Sequence, residues 1–451
     1  MPFPSLSSVR PARWGVLLLL GLMPLLVGCE DESLLESEAT DARFQRYVAL
    51  GNSITAGYQA DGINQTLQQQ SYAVRLAAQM ETPFEVPSLR SPGCPPPLTN
   101  IFPPERAAPV ECALRSSPTP LRLNNVAVPG AWVQDALTNT GPETHPNALT
   151  TFILGGRTQV EAAMAVKPTF ATVWLGNNDV LRAALAGNPA LATPPSDFET
   201  RYTQVLDSLE SAGAEAGALA SVADVTLIPN LSPGQAYAAA ESQINQLGQQ
   251  QAANDGDPNT NWGNYEVTNC ASGQAATQTR IPFRYGFEGL FSLALAGQNV
   301  TLDCTDNRTL AEQYGQSTLE QVGIGGVGNV SLLVPAETQE LVGTLQQYNS
   351  TLQQLADNRD WAYVDVNPTF RALYSAGAST PTPDDDLVPK FPNLSADEPT
   401  FGTFFSEDGV HPSAQTHRVV TNLFVEAINE EYDTQLSPIE APDVPTAPMT
   451  Q

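Results

Sequence analysis

The 451-residue chain carries 20 Lys and Arg against 48 Asp and Glu, a formal net charge of −28. Such an acidic surface repels phosphate backbones and anionic headgroups, so nucleic acid is excluded as a partner. Three histidines, His145, His411 and His417, stand without ligand spacing and exclude a catalytic zinc site built on them.

At the N-terminus Arg10 and Arg13 precede an apolar run from Trp14 to Val27 that closes Leu26-Val27-Gly28-Cys29. The run is a secretory signal, short for a membrane span. Small residues before Cys29 resemble the bacterial lipobox, so we expect a signal peptide over 1–28, cleavage after Gly28 and lipidation of Cys29. Glu30, Asp31 and Glu32 open an acidic tether over 29–43. The expected location is the bacterial cell envelope, lipid-anchored at the outer membrane or cell surface.

Five short apolar runs then read as buried strands: Tyr47 to Leu50, Asn125 to Val128, Phe170 to Leu175, Asp224 to Ile228 and Trp361 to Val366. Helical spacing alternates with them. Examples are Tyr72, Leu76, Ala77 and Met80, then Phe198, Tyr202, Val205, Leu206 and Leu209. The clearest helix carries Leu341, Leu345, Tyr348, Leu352 and Leu355, and a last one carries Val420, Leu423, Phe424, Ala427 and Ile428. Alternation of strands and helices predicts a parallel sheet covered on both faces, a three-layer α/β/α sandwich with five strands. Ligands of such sheets bind beyond the carboxyl ends of the strands.

Three of those strands run into turn blocks: Gly51-Asn52-Ser53, Gly130, and Gly176-Asn177-Asn178-Asp179. A fourth block, Asp408-Gly409-Val410-His411, stands near the C-terminus. Serine is a poor nucleophile at neutral pH and needs a base held in the right tautomer by a third group. His411 can be that base for Ser53, and Asp408 can accept the other ring N–H from within one turn of chain. The oxyanion formed on attack needs preorganised donors. The backbone N–H groups of Ser53 and Gly130 and the side-chain amide of Asn178 supply three. Each block alone is open to a plainer reading, as a helix cap or turn; their joint order and setting favour the site.

In these residues the chain resembles the SGNH/GDSL hydrolases: Ser53, Gly130, Asn178 and His411, with Asp408 completing Asp-x-x-His. Similar stretches are Ser71-Tyr72-Ala73-Val74-Arg75-Leu76-Ala77 and Asp408-Gly409-Val410-His411-Pro412-Ser413. The resemblance implies a flavodoxin-like fold and ester hydrolysis without metal or organic cofactor, by Ser53, His411 and Asp408 as the triad. It departs from the family at Gly51-Asn52-Ser53-Ile54, where Asn52 replaces the usual Asp, and at Ala414-Gln415-Thr416-His417, where a Gly is usual.

With Cys29 set aside, Cys94, Cys112, Cys270 and Cys304 remain, an even number that in an exported protein argues for disulfides with three possible connectivities. The sequence-near pairing, Cys94 with Cys112 and Cys270 with Cys304, is favoured. It would staple two insertions, at about 88–120 and 231–335, into a single domain over 44–435. The insertions leave the core near strand ends and are expected to wall the pocket. Asp255, Asp257, Asn259 and Glu266 stand at calcium-loop spacing, but Thr260 occupies the position that needs Gly, so a solvated loop is preferred over calcium. His145 is expected to be exposed in a loop, His417 to lie on a helix surface, and the Pro-bearing tail 436–451 to be disordered. The function expected is a monomeric serine esterase or lipase acting on a lipid or an acylated carbohydrate. An acyltransferase with the same triad and an inactive surface binding protein are the alternatives.

Overall fold

The computed structural model describes residues 39–101, 104–108, 112, 122–140, 144–145, 149, 153–254, 261–377, 388–393 and 401–444. Cys29 and the expected signal segment lie outside them, as do Asp255, Asp257 and Asn259, while Glu266 sits exposed on the strand Asn264–Thr268.

Four strands form the central sheet in the order β1 (Tyr47–Gly51), β2 (Phe170–Trp174), β3 (Ala216–Ala220) and β4 (Ala362–Val364). All pairs are parallel, with Tyr47 opposite Phe170, Phe170 opposite Ala216 and Ala218 opposite Ala362. The strand expected at Asn125 to Val128 is reduced to one parallel bridge, Asn125 to Ala49, on the free edge of β1. Asparagine side chains compete there for backbone groups: Asn124 Nδ2 donates to Tyr47 O at 2.7 Å and Asn125 Nδ2 to Thr55 O at 2.8 Å. Counting that edge, the spatial order is 2-1-3-4-5, the flavodoxin-like arrangement.

A second expected strand is also displaced. Val225–Leu227 is a 3-10 turn capped by Asp224, whose carboxylate accepts from Thr226 N at 3.1 Å. The sheet strand is instead Ala216–Ala220, a run of small residues with little β-signal. They are small because Trp361 lies across them: a Cβ on Gly217 would stand 2.3 Å from the indole.

Alternation along each strand sorts the core into two layers. Val48, Leu50, Ala171, Val173 and Leu219 pack with α3 (Gln159–Val166), α5 (Pro195–Ala212) and α6 (Pro335–Asp357). Tyr47, Ala49, Phe170, Trp174, Ala218 and Val364 face the other way, onto α2 (Tyr72–Gln79) and α7 (Ala414–Tyr432). Phe198 stacks on Tyr348 with ring centroids 4.0 Å apart. Each such fully buried aromatic contributes roughly 1.5–3 kcal/mol. The remaining labelled helices, α1 (Ser53–Ala56) and α4 (Asn177–Ala186), start directly beyond β1 and β2.

The first insertion carries an antiparallel pair, Leu98–Ile101 with Pro104–Arg106. The second carries Leu231–Pro233 against Arg280–Pro282 and, separately, Asn264–Thr268 parallel to Asn299–Asp303. Disulfides join Cys94 to Cys112 and Cys270 to Cys304. Residues 436–444, expected to be disordered, run back along α7 instead. Asn429 takes both backbone groups of Leu436, and Asn422 both of Ile439, at 2.8 and 2.9 Å in each case.

Candidate active site

Ser53 stands at the first position of α1, immediately beyond β1, and is 6% exposed. Asn52 caps that helix, its Oδ1 accepting from Ile54 N at 3.1 Å, so the Asn at the departure from Gly-Asp-Ser-Leu orders the loop without a charge. Gln159 of α3 fixes the strand end from behind: Gly51 N donates to its Oε1 at 3.0 Å and its Nε2 donates to Gly51 O at 2.9 Å.

Gly130 has φ +80°, in the left-handed region where only glycine is free of Cβ strain. Its loop is tied to α4 twice. Asn178 Nδ2 donates to Ala131 O at 2.9 Å, and Asp179 Oδ2 accepts from Val133 N at 3.0 Å. Asp179 is fully buried, and burial pushes its carboxyl up to about 7, although Thr193 and Val133 donate to it. The second N–H of the Asn178 amide stays available for a ligand.

Asp408 and His411 close the site. His411 Nδ1 donates to Asp408 Oδ2 at 2.7 Å, and the two side chains are 15% and 9% exposed. Asp408 Oδ1 accepts from Val410 N and His411 N, both at 2.8 Å. Burial would raise the Asp408 carboxyl, but His411 and these amides hold it down at about 2. Burial would lower His411, and the Asp408 charge overrides it, raising the imidazole above its ordinary value.

Other contributors to this loop had no signal in the sequence. In the turn Gln59–Gly62, Ala60 and Asp61 take φ of +51° and +48°, a left-handed pair costing on the order of 1–2 kcal/mol per residue. Ala60 N donates to Ser406 Oγ at 2.8 Å and Asp61 N to Asp408 Oδ2 at 2.6 Å, a charge-assisted bond that offsets the strain. Arg106 of the first insertion ion-pairs with Asp61 and donates to Pro96 O at 2.7 Å. The Tyr58 ring meets His411 edge-on at 4.9 Å, and its hydroxyl donates to Asp61 Oδ1 at 2.8 Å.

Ser53, Gly130, Asn178, Asp408 and His411 line one cleft of about 670 Å³. Its remaining walls are largely apolar: Leu98, Ile101 and Phe283 come from the two insertions, Leu181 and Leu185 from α4, and Phe401 from the segment before Asp408.

The other two histidines correct their expectations. His417 is fully buried, its Nδ1 accepting from Tyr72 N at 3.3 Å. Burial, with the Arg75 and His411 charges, pushes it down to about 3. The stripe 417, 420, 424, 428 has the 3.6-residue period, so the sequence held this signal. His145 is half-buried, stacked on Trp132 with centroids 4.1 Å apart and 3.6 Å from Asp135. Among the described residues no group of three or more His, Cys, Asp or Glu could hold a metal ion, and no helix is long and apolar enough to cross a membrane.

A family model described as GDSL-like Lipase/Acylhydrolase matches residues 47–280, more than half of the sequence. The chain belongs to this GDSL-like lipase/acylhydrolase family. It is accordingly a carboxylic ester hydrolase. Comparison with curated proteins found no match. Among solved structures this GDSL-like hydrolase is similar to a mutant of Axe2, an acetyl-xylooligosaccharide esterase from Geobacillus Stearmophilus. That pair has 12% identity over 85% of this chain and 94% of the other, with a TM-score of 0.34. It is also similar to LAE5, an alpha/beta hydrolase enzyme from the metagenome of Lake Arreo, Spain, at 11% identity over 86% and 97%, with a TM-score of 0.34.

The raised His411 value sets a pH dependence. Where His411 is the base, as the sequence leads us to expect, it must be neutral to act, and kcat/KM reports the free enzyme. The acid limb of kcat/KM for p-nitrophenyl butyrate should therefore have its midpoint above the ordinary histidine value near 6.5. A midpoint well below 6.5 would contradict the pairing with Asp408. Stability carries three signs. The His411 contribution is complete below about 6.5 and fades as pH rises through its raised folded value. The Asp408 contribution is present above about 3.8 and is lost as pH falls through about 2. Buried neutral His417 loses stability as pH falls from about 6.5 toward about 3.

Proposed function

We propose that the protein hydrolyses carboxylic esters through a Ser53 acyl-enzyme, with His411 as base and Asp408 as its orienting partner. The observation that carries this reading is the 2.7 Å His411–Asp408 bond in a cleft that Ser53, Gly130 and Asn178 also line. The family match ends at residue 280, so the roles of Asp408 and His411 rest on that geometry.

Ser53 Oγ attacks the ester carbonyl as His411 Nε2 takes its proton. The carbonyl oxygen becomes an oxyanion facing the N–H groups of Ser53 and Gly130 and the Asn178 amide. Collapse expels the alcohol, protonated by His411, and water then repeats the sequence on the acyl-enzyme. The Ser53 hydroxyl makes no hydrogen bond to a described residue; in this reading the bond to His411 closes when substrate fills the cleft. The apolar walls favour an acyl chain, supplied by a lipid or by an acylated carbohydrate. Lipidation of Cys29 would hold the enzyme at the cell envelope beside such substrates.

Treatment with diethyl p-nitrophenyl phosphate should leave a diethylphosphoryl adduct on the Ser53 peptide in mass spectrometry. Asn178→Ala should lower kcat by about 10²-fold or more, as loss of one oxyanion donor does. An adduct on another residue, or an Asn178→Ala enzyme as fast as the wild type, would remove the assignment.

A further inference from the structure

A second cleft, of about 580 Å³, shares no lining residue with the Ser53 cleft. It opens between α6, the helix Asn367–Ala376 and the strand Arg280–Pro282. Arg280, 7% exposed, forms part of its wall. Three carbonyls hold that guanidinium rigidly: Nε donates to Thr226 O at 2.7 Å, and one Nη donates to Thr277 O at 2.7 Å and Thr279 O at 3.2 Å. The other Nη has no hydrogen-bond partner among the described residues, and no carboxylate there pairs with Arg280. A buried arginine with no acid beside it among the described residues can take its counter-charge from a ligand.

The surroundings concentrate further donors. Arg371, 57% exposed, lines the same cleft, and its nearest carboxylate, Asp224, is 3.9 Å away. The Asp224 carboxylate already accepts from Thr226 N at 3.1 Å and from its hydroxyl at 2.6 Å. Lys390, one of two lysines in the chain, stands 5.2 Å from the Tyr374 ring centroid, on the ring that Arg280 meets at 5.9 Å. The Thr338 hydroxyl is buried in the cleft wall without a partner.

We propose that this cleft is a receptor for an oxyanion, a carboxylate or sulfate group carried on a small polar molecule. The remaining Nη of Arg280, fixed in place by the carbonyls on the other two nitrogens, sets the direction of approach. Arg371 supplies the second cation, and Asp224 is the internal competitor for it. The site lies outside the ester-cleaving cleft, so its ligand need not be an ester.

The test is calorimetric titration of the whole protein, at fixed ionic strength, with sodium sulfate, galacturonate and uncharged galactose. Either anion should bind and galactose should not; which of the two binds more tightly identifies the source of the group. Arg371→Gln, at an exposed position, should weaken binding by about tenfold while ester hydrolysis stays unchanged. Asp224→Asn can still cap the 3-10 turn and should tighten binding by about threefold, because the competing charge is gone. Both signs follow from the charges alone, so saturation at one ligand per chain is what separates a built site from nonspecific attraction. The proposal falls if neither anion binds, if galactose binds as well as galacturonate, or if both variants match the wild type.

Discussion

Ser53→Ala is expected to lower kcat for p-nitrophenyl butyrate by about 10⁶-fold and leave the fold intact, the scale on which loss of a triad serine acts. The two halves of that expectation have separate causes. In the proposed mechanism catalysis collapses because the oxygen that forms the acyl-enzyme is gone. Residual turnover of about 10³–10⁴ over water remains expected from oxyanion donors and binding alone, since the substitution keeps the backbone N–H at that position. Stability holds because Asn52, not Ser53, caps α1, and the Ser53 hydroxyl serves no described residue. A thermal melt should agree with the wild type within about 0.5 kcal/mol, as for substitutions that remove no structural contact. Steady-state rates beside a circular-dichroism melt check both. A variant that still cleaves at a tenth of the wild-type rate would move the nucleophile elsewhere.

How far the sequence disclosed the molecule depends on which interactions carry a pattern. The runs at Tyr47 and Phe170 are apolar, bounded and fully buried, so periodicity found them. Ala216–Ala220 escaped because its residues are small for the sake of Trp361, which is far from Gly217 in the chain. Val225–Leu227 was mistaken for a strand because an Asp cap and a β-branched run look alike until the cap bond is seen. In the candidate site, Ser53, Gly130 and Asn178 were visible as blocks behind apolar runs, and Asp408 and His411 as an Asp-x-x-His block. Asp61 was not, because it contributes its backbone N–H, a group every residue but proline owns. Arg106 was hidden for a related reason, acting on the site only through Asp61. His417 is different: its place on the apolar stripe of α7 was legible, and reading histidine as a surface residue overrode it.

Asp408→Asn should lower kcat by about 10⁴-fold, as loss of the orienting carboxylate does in serine hydrolases, and unlike Ser53→Ala it should also destabilise the protein. Every described group facing the Asp408 carboxylate is a donor. Oδ1 receives Val410 N, His411 N and Ser406 Oγ, and Oδ2 receives Asp61 N and His411 Nδ1. An amide turned either way sets its NH₂ against one of these sets, leaving buried donors facing a donor at a cost of roughly 1–3 kcal/mol. If the NH₂ points at His411, the imidazole must present Nδ1 as acceptor and move its proton to Nε2, the atom meant to accept from Ser53. If it points at the Val410 and His411 amides, the loop between Asp408 and His411 opens. The charge that raises His411 is lost in either case, so the acid limb of kcat/KM should move to lower pH as activity falls. Rate, melting temperature and the limb are thus expected to fall together. A full-speed Asp408→Asn enzyme with an unmoved limb would mean that another group orients His411, and the reading of the Asp408-Gly409-Val410-His411 block as half of the triad would have to be given up.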